Sequence, residues 1–215
     1  MRSEYIEYRR IAMELNNRIV KTIKSHELNL AGKSLDMLVN DIFVFENEDE
    51  TGTLMDRAIF DVRRGNKNVL TDFIDSTPPE NFSKKERRLL EGMSKAWFSL
   101  FQVNAIDPRE GSVHLDDLIH HTGPFKLFDI GLSQSILEGD LIATRLIPID
   151  NWHMTSGVGY PFMPYRAAEL LAGLKRPIHN SKKRKYKIVP PEDYSSYFFR
   201  EFKRLREGGI IHQNI

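Results

Sequence analysis

An α+β protein is what this sequence predicts: a helical N-terminal part, a central small β-barrel-like unit or curved antiparallel sheet, and a helical C-terminal tail. Three observations carry that expectation. Apolar residues recur at steps of three and four before Trp97, alternate with polar ones through much of the stretch to Asp150, and return to helical spacing in a basic segment after it. The divisions fall at residues 1–96, 97–162 and 163–215. The three parts are expected to pack as one body, because the helix before Trp97 runs into the β stretch without a linker.

Tyr8, Ile11, Leu15, Ile19 and Ile23 form the stripe of a long amphipathic helix from Ser3 to Ser25, and Leu30, Leu35, Leu38 and Val39 predict a second over Asn29 to Asn40. The stripe is too short for a sustained coiled coil, so packing against the following helices of the chain is expected ahead of a dimer seam. Asp41 to Phe45 is a helix end or a strand. Glu46 to Glu50 has four acids in five positions without the spacing of an EF-hand loop, and is expected to be a solvated loop. Thr53 to Arg64 is helical and ended by Gly65; Asn68 to Ser76 is helical and broken by Thr77-Pro78-Pro79. Ser83-Lys84-Lys85-Glu86 is a capping box that opens a helix through Leu89, Leu90, Met93 and Trp97.

The β unit begins with Phe101, Val103 and Ala105 on one strand face, and Asp107 to Gly111 turns the chain into Val113 and Leu115. Phe125 and Leu127 predict a third strand, Leu132 to Leu137 a helical turn, and Leu141 to Ile149 a fourth strand ended as a ladder by Pro148. A fifth lies between Trp152 and Tyr160. Such a unit has the size of an OB or SH3-like barrel. Pro164 to Lys175 and Glu192 to Glu207 are expected helices, with the basic run from Lys182 to Lys187 between them.

Composition narrows the function classes. No cysteine is present, which removes disulfides, thiolate nucleophiles and every zinc site built on Cys. No apolar run approaches the ~20 residues that span a bilayer, so no membrane partner is expected. The Met1-Arg2-Ser3-Glu4 start lacks the pattern of a signal peptide, and a cytoplasmic location is expected. Net charge is +1, yet from Lys175 onward eleven Lys and Arg face four acids, so the tail holds +7 and the rest −6. A basic tail on an acidic body either meets a polyanion or packs on its own body.

No motif commits the chain to a reaction, so no catalytic residue, metal or cofactor is assigned. Thr155-Ser156-Gly157 lacks the first glycine of a nucleophile elbow, and Gly157-Val158-Gly159 lacks the third glycine of a dinucleotide loop. His120-His121 beside Asp116-Asp117 is the densest set of metal-ligand types, but adjacent histidines point apart and would need His114 or His153 to complete a site. A binding module has more support. Lys182, Lys183, Arg184, Lys185 and Lys187, with Arg200, Lys203 and Arg204 on the last helix, are the expected contacts to nucleic acid or an acidic protein surface, beside a barrel presenting Lys126 and Arg145. An interaction scaffold and an unrecognised hydrolase or metal-dependent enzyme are the alternatives.

From Leu54 to Gly157 the chain resembles a largely uncharacterised bacterial family. The residues that carry this are Asp72-Phe73, Pro78-Pro79, Glu86 to Leu90, Phe98 to Val103, Asp107-Pro108 with Gly111, Asp116 to Leu118, Gly139-Asp140, Arg145-Leu146 with Pro148, and Ser156-Gly157. The resemblance implies a helical region followed by a small β domain, and no activity. Some relatives carry a SEC-C zinc motif, whose partner-binding role does not transfer to a chain without cysteine.

Overall fold

A computed structural model describes residues 1–177, 186–205 and 211–212. Helix α1 (Arg2–Val20) buries Tyr5, Tyr8, Ile11, Ala12, Leu15 and Ile19, the stripe its spacing dictates. Helix α2 (Ser25–Ser34) stops earlier than expected. Leu38 and Val39 leave it for strand β1 (Leu38–Val39), which pairs with β2 (Ile42–Phe43) across Asn40 and Asp41, at φ 51° and 63°. Two short polar residues that tolerate left-handed backbone make a two-residue hairpin turn, and that local preference overrides the helical spacing.

Helix α3 (Glu50–Phe60) also ends early. A second hairpin, β3 (Arg63–Arg64) with β4 (Lys67–Asn68), turns on Gly65 at φ 60° and leads into α4 (Val69–Ser76). Asn68 caps α4 by accepting from the Thr71 amide at 2.9 Å. Helix α5 (Lys84–Ser94) has the expected capping box: Ser83 Oγ accepts from the Glu86 amide at 3.2 Å and Glu86 Oε2 from the Ser83 amide at 2.7 Å.

The central strands are β5 (Trp97–Asp107), β6 (Ser112–Asp117), β7 (Thr122–Phe128), β8 (Leu141–Ile149) and β9 (Trp152–Phe162), with a short α6 (Leu132–Ser135) between β7 and β8. They close into a mixed barrel in the order β5–β6–β7–β9–β8 and back to β5, with β7 and β9 the one parallel pair of the five. This Greek-key connectivity, with a helix between the third and fourth strands, is that of an OB-fold. Closure rules out the open curved sheet. Register shifts at Val103/Ala105, Leu115/Asp117 and Thr144/Leu146 bend the strands round the barrel. Pro148 does not end the ladder: its register partner is His153, and Ile149 pairs with Trp152.

Phe101, Val103, Val113, Leu115, Leu127, Ile142 and Leu146 fill the barrel, with Leu132 of α6 and Ile136 packed against them. Helices α1, α3, α4 and α5 join a second core on the outer face, around Leu15, Leu89, Ile147, Trp152 and Met154. A third core sets Phe98, Ala143, Tyr160 and Phe162 against α2, α3, α7 (Ala167–Gly173) and α8 (Tyr194–Leu205). Strand β8 is therefore covered on both faces, which is why it reads as a nearly unbroken apolar run.

The tail has both expected helices, and short strands besides. Short 3₁₀ turns at Pro164–Arg166 and Pro191–Asp193 precede α7 and α8. Between the helices, β10 (Lys175–Pro177) pairs antiparallel with β11 (Tyr186–Ile188), and β12 (Ile211–His212) adds to β9.

Gly92 sets how closely α5 lies on β8. A Cβ there would meet the backbone carbonyl oxygen of Pro148, which has no flexible end to move aside. Gly92→Ala is expected to lower stability by ~1–3 kcal/mol through overpacking, despite the better helix propensity of alanine. Urea denaturation checks the sign.

Candidate functional site

Arg145 sits in β8 where both faces are covered, and is 3% exposed, so it does not present its charge on the barrel surface as expected. A guanidinium there needs buried partners. Asp56 in α3 and Asp61 at its C-terminal end supply them: Arg145 Nε and Nη2 donate to Asp56, Nη2 at 3.1 Å, and Nη2 donates to Asp61 Oδ2 at 2.7 Å. The guanidinium also lies 4.4 Å from the Phe60 ring centroid.

The network reaches α8 and the turn before it. Ser195 Oγ donates to Asp61 Oδ2 at 2.6 Å, and Arg57 bonds Asp193 Oδ1 at 2.7 Å and the Glu192 carbonyl oxygen. Burial raises the Asp61 carboxyl above its ordinary range, more than Arg145 lowers it. Burial alone would lower Arg145, but Asp56 and Asp61 outweigh it and hold the guanidinium charged.

A cavity of about 220 Å³ opens beside this network, lined by Asp61, Asn68, Trp97, His120, Arg145 and Glu192 among others. Asp117, at the end of β6, organises its far wall. Its carboxylate accepts from Ser99 Oγ at 2.6 Å, Trp97 Nε1 at 3.1 Å and the Ile119 and His120 amides, and its Oδ2 lies 2.9 Å from His120 Nδ1. Burial alone would raise this carboxyl, but the hydrogen bonds, led by Ser99 and the His120 amide, hold it below the usual range. An ionised Asp117 accepts from His120 Nδ1–H and so orients the ring, with Nε2 its other nitrogen.

Trp97 also stands in an aromatic trio beside the barrel core, with ring centroids 5.3 Å from Phe125 and 5.7 Å from His153. Burial lowers the His153 imidazole, partly offset by its bond to the Lys126 carbonyl oxygen. The folded state therefore takes up the proton at lower pH than the unfolded chain does. This contribution makes stability fall as pH drops through the unfolded value, about 6.5. Urea midpoints at pH 7.5 and 5.5 should differ in that direction, and His153→Gln should remove that part of the difference.

Among the described residues, no group of three or more His, Asp or Glu is placed to hold a metal ion. His120 turns to Asp117, and His121 occupies a positive-φ position, 54°, between β6 and β7. Lys126 pairs with Glu110 Oε2 at 2.8 Å.

Of the expected contact residues, Lys182, Lys183, Arg184 and Lys185 lie outside the described residues. Lys187 lies in β11, in register with Arg176. The three on α8 meet partners of the chain itself. Arg200 donates to the Ser34 carbonyl oxygen, Lys203 Nζ lies 2.9 Å from Glu46 Oε1 and 3.1 Å from Glu50 Oε1, and Arg204 pairs with Glu169 and with Glu201 at 2.6 Å. Burial alone would lower the Lys203 ammonium, but the two glutamates raise it. The acidic stretch is thus not a wholly solvated loop: Glu50 is 1% exposed and also binds the Glu46 amide at 2.9 Å. On α8, the basic tail does pack on the acidic body.

The arrangement defines an α+β protein in which an OB-type barrel, a helical layer and a C-terminal helix are tied by one buried ion network. The chain belongs to DUF7986, a family of unknown function, whose model matches residues 1–198. No curated protein and no solved structure matches it. The match runs well beyond Leu54 to Gly157. It takes in the basic hairpin, which the resemblance had left out.

Proposed function

We propose that the protein is a cytoplasmic, non-enzymatic binding module that engages nucleic acid through the basic β10–β11 hairpin. The observation that supports this most is charge placement. Residues 175–188 carry seven Lys and Arg and no Asp or Glu, and the pairing of Pro177 with Tyr186 ties the two ends of 178–185 together. Arg200, Lys203 and Arg204 already meet partners on the body, so the contact set narrows to Lys182, Lys183, Arg184, Lys185 and Lys187. Clustered cations without acids neutralise phosphates and release counterions. The OB-type connectivity adds an analogy, since such barrels commonly bind oligonucleotides or oligosaccharides.

Reversing Lys182, Lys183, Arg184 and Lys185 to Glu is expected to weaken binding of a labelled single-stranded RNA on the order of a hundredfold at low salt. Arg204→Ala, on a surface pair, should change it by less than about threefold. Equal effects of the two variants in fluorescence anisotropy would remove the hairpin from the account. A preference for polyglutamate over RNA would assign the same cations to an acidic protein surface.

A further inference from the structure

We propose that the cavity beside Arg145 is a pocket for a single nucleobase. This inference rests on the nucleic-acid reading for the source of the base, and on the cavity's own chemistry for the rest. Two residues of its lining, Arg145 and Asp61, each keep one polar atom unengaged. Arg145 uses Nε and Nη2 on Asp56 and Asp61, while Asp61 receives its bonds on Oδ2. Arg145 Nη1 and Asp61 Oδ1 have no hydrogen-bond partner among the described residues, and neither is a buried orphan. Both residues line the cavity. A free donor and a free acceptor on two residues joined through Nη2 and Oδ2 match the edge of a heterocyclic base, which offers the converse pair.

The walls suit a flat ring. Half-buried Trp97 contributes the aromatic wall, with Phe60 and Phe98 buried behind the Arg145 guanidinium, and His120 is held by Asp117 so that Nε2 is its unengaged nitrogen. Stacking on aromatic side chains is the general means by which unpaired bases are held. At about 220 Å³ the cavity is smaller than the ~300–1,000 Å³ of pockets that enclose drug-sized ligands, which fits one ring system.

Charge selects the base over its phosphate. Asp61 and Glu192 balance Arg63 and Arg145 in the cavity lining, and the residues bonded to that lining add Asp56 and Asp117, with Arg57 paired to Asp193. An anion would enter against that balance, whereas a neutral ring would not. The phosphates then fall to the hairpin, whose strand β11 ends three residues before Pro191, itself part of the cavity wall.

The test is a titration of the ¹⁵N-labelled protein with adenosine, guanosine, cytidine and uridine, watching the two tryptophan indole signals, assigned with Trp97→Phe. At least one nucleoside should shift the Trp97 signal saturably and leave that of the buried Trp152 in place. Arg145→Met removes the donor but also disturbs the fold. The decisive variant is therefore Ser94→Phe, at an exposed lining position, which should abolish the shift in a folded protein. No saturable shift with any nucleoside, an undiminished shift in Ser94→Phe, or a response to nucleoside monophosphates alone would overturn the proposal. Free nucleosides carry no phosphate, so this result is independent of the hairpin. RNA binding without nucleoside binding removes the pocket alone, and the converse removes the hairpin alone.

Discussion

Arg145→Met should destabilise the protein by ~3–5 kcal/mol, because it removes the cation and leaves the carboxylates of Asp56 and Asp61 buried without it. The damage is the unpaired charge more than the lost contact, and that has a signature in pH. Without Arg145, Asp61 loses the influence that opposed its burial, so its folded-state pKa rises further above the unfolded value. A carboxyl raised in this way costs stability as pH rises through its folded value, since the buried group must then ionise. The variant should accordingly lose more stability relative to the parent at pH 8 than at pH 5. Urea denaturation at the two pH values checks it, and a loss independent of pH would show that packing on Phe60 and Phe98 is what Arg145 provides.

Trp152→Ala should cost a similar ~3–5 kcal/mol by a different route, a cavity in the core. Trp152 opens β9, is 2% exposed, and meets the rings of Tyr8 at 5.8 Å and Phe128 at 5.5 Å between centroids. Tyr8 belongs to α1, so the loss should loosen that helix from the barrel before the barrel itself opens. Hydrogen exchange should quicken first at the amides of α1, with those of β5 and β6 little changed. Uniform quickening would contradict this order.

What was legible in the sequence was what local chemistry decides. The Ser83–Glu86 capping box and the Asp107–Gly111 turn each follow from neighbours in the chain, and each is found in place. The expected alternation of β5 holds for Phe101 and Val103 only: the register shift after Val103 leaves Ala105 exposed and packs Ile106 against the barrel core instead. The expected Asn29–Asn40 helix was misread because Leu35, Leu38 and Val39 keep helical spacing while Asn40 and Asp41 favour a turn, and the turn prevails. The ion network was out of reach by spacing, since Arg145 lies 89 residues from Asp56 and 84 from Asp61. One signal was available. A charged residue in the middle of Leu141 to Ile149, a run apolar enough for a strand covered on both faces, requires a buried partner of opposite charge. Likewise the acids from Glu46 to Glu50 and the cations of α8 are complementary in sequence, but only the third core brings Lys203 to Glu50. The hairpin that carries the basic run was missed because residues 175–188 have no alternating apolar pattern to mark two strands.

The central claim is that the hairpin's cations meet phosphates, and salt tests it most directly. Affinity for a single-stranded RNA should be measured by anisotropy from low to physiological salt. With Lys182, Lys183, Arg184, Lys185 and Lys187 each neutralising a phosphate, the logarithm of the association constant should fall against the logarithm of salt with a slope near about −3 to −4. A slope close to zero, or no binding at the lowest salt, would contradict the account.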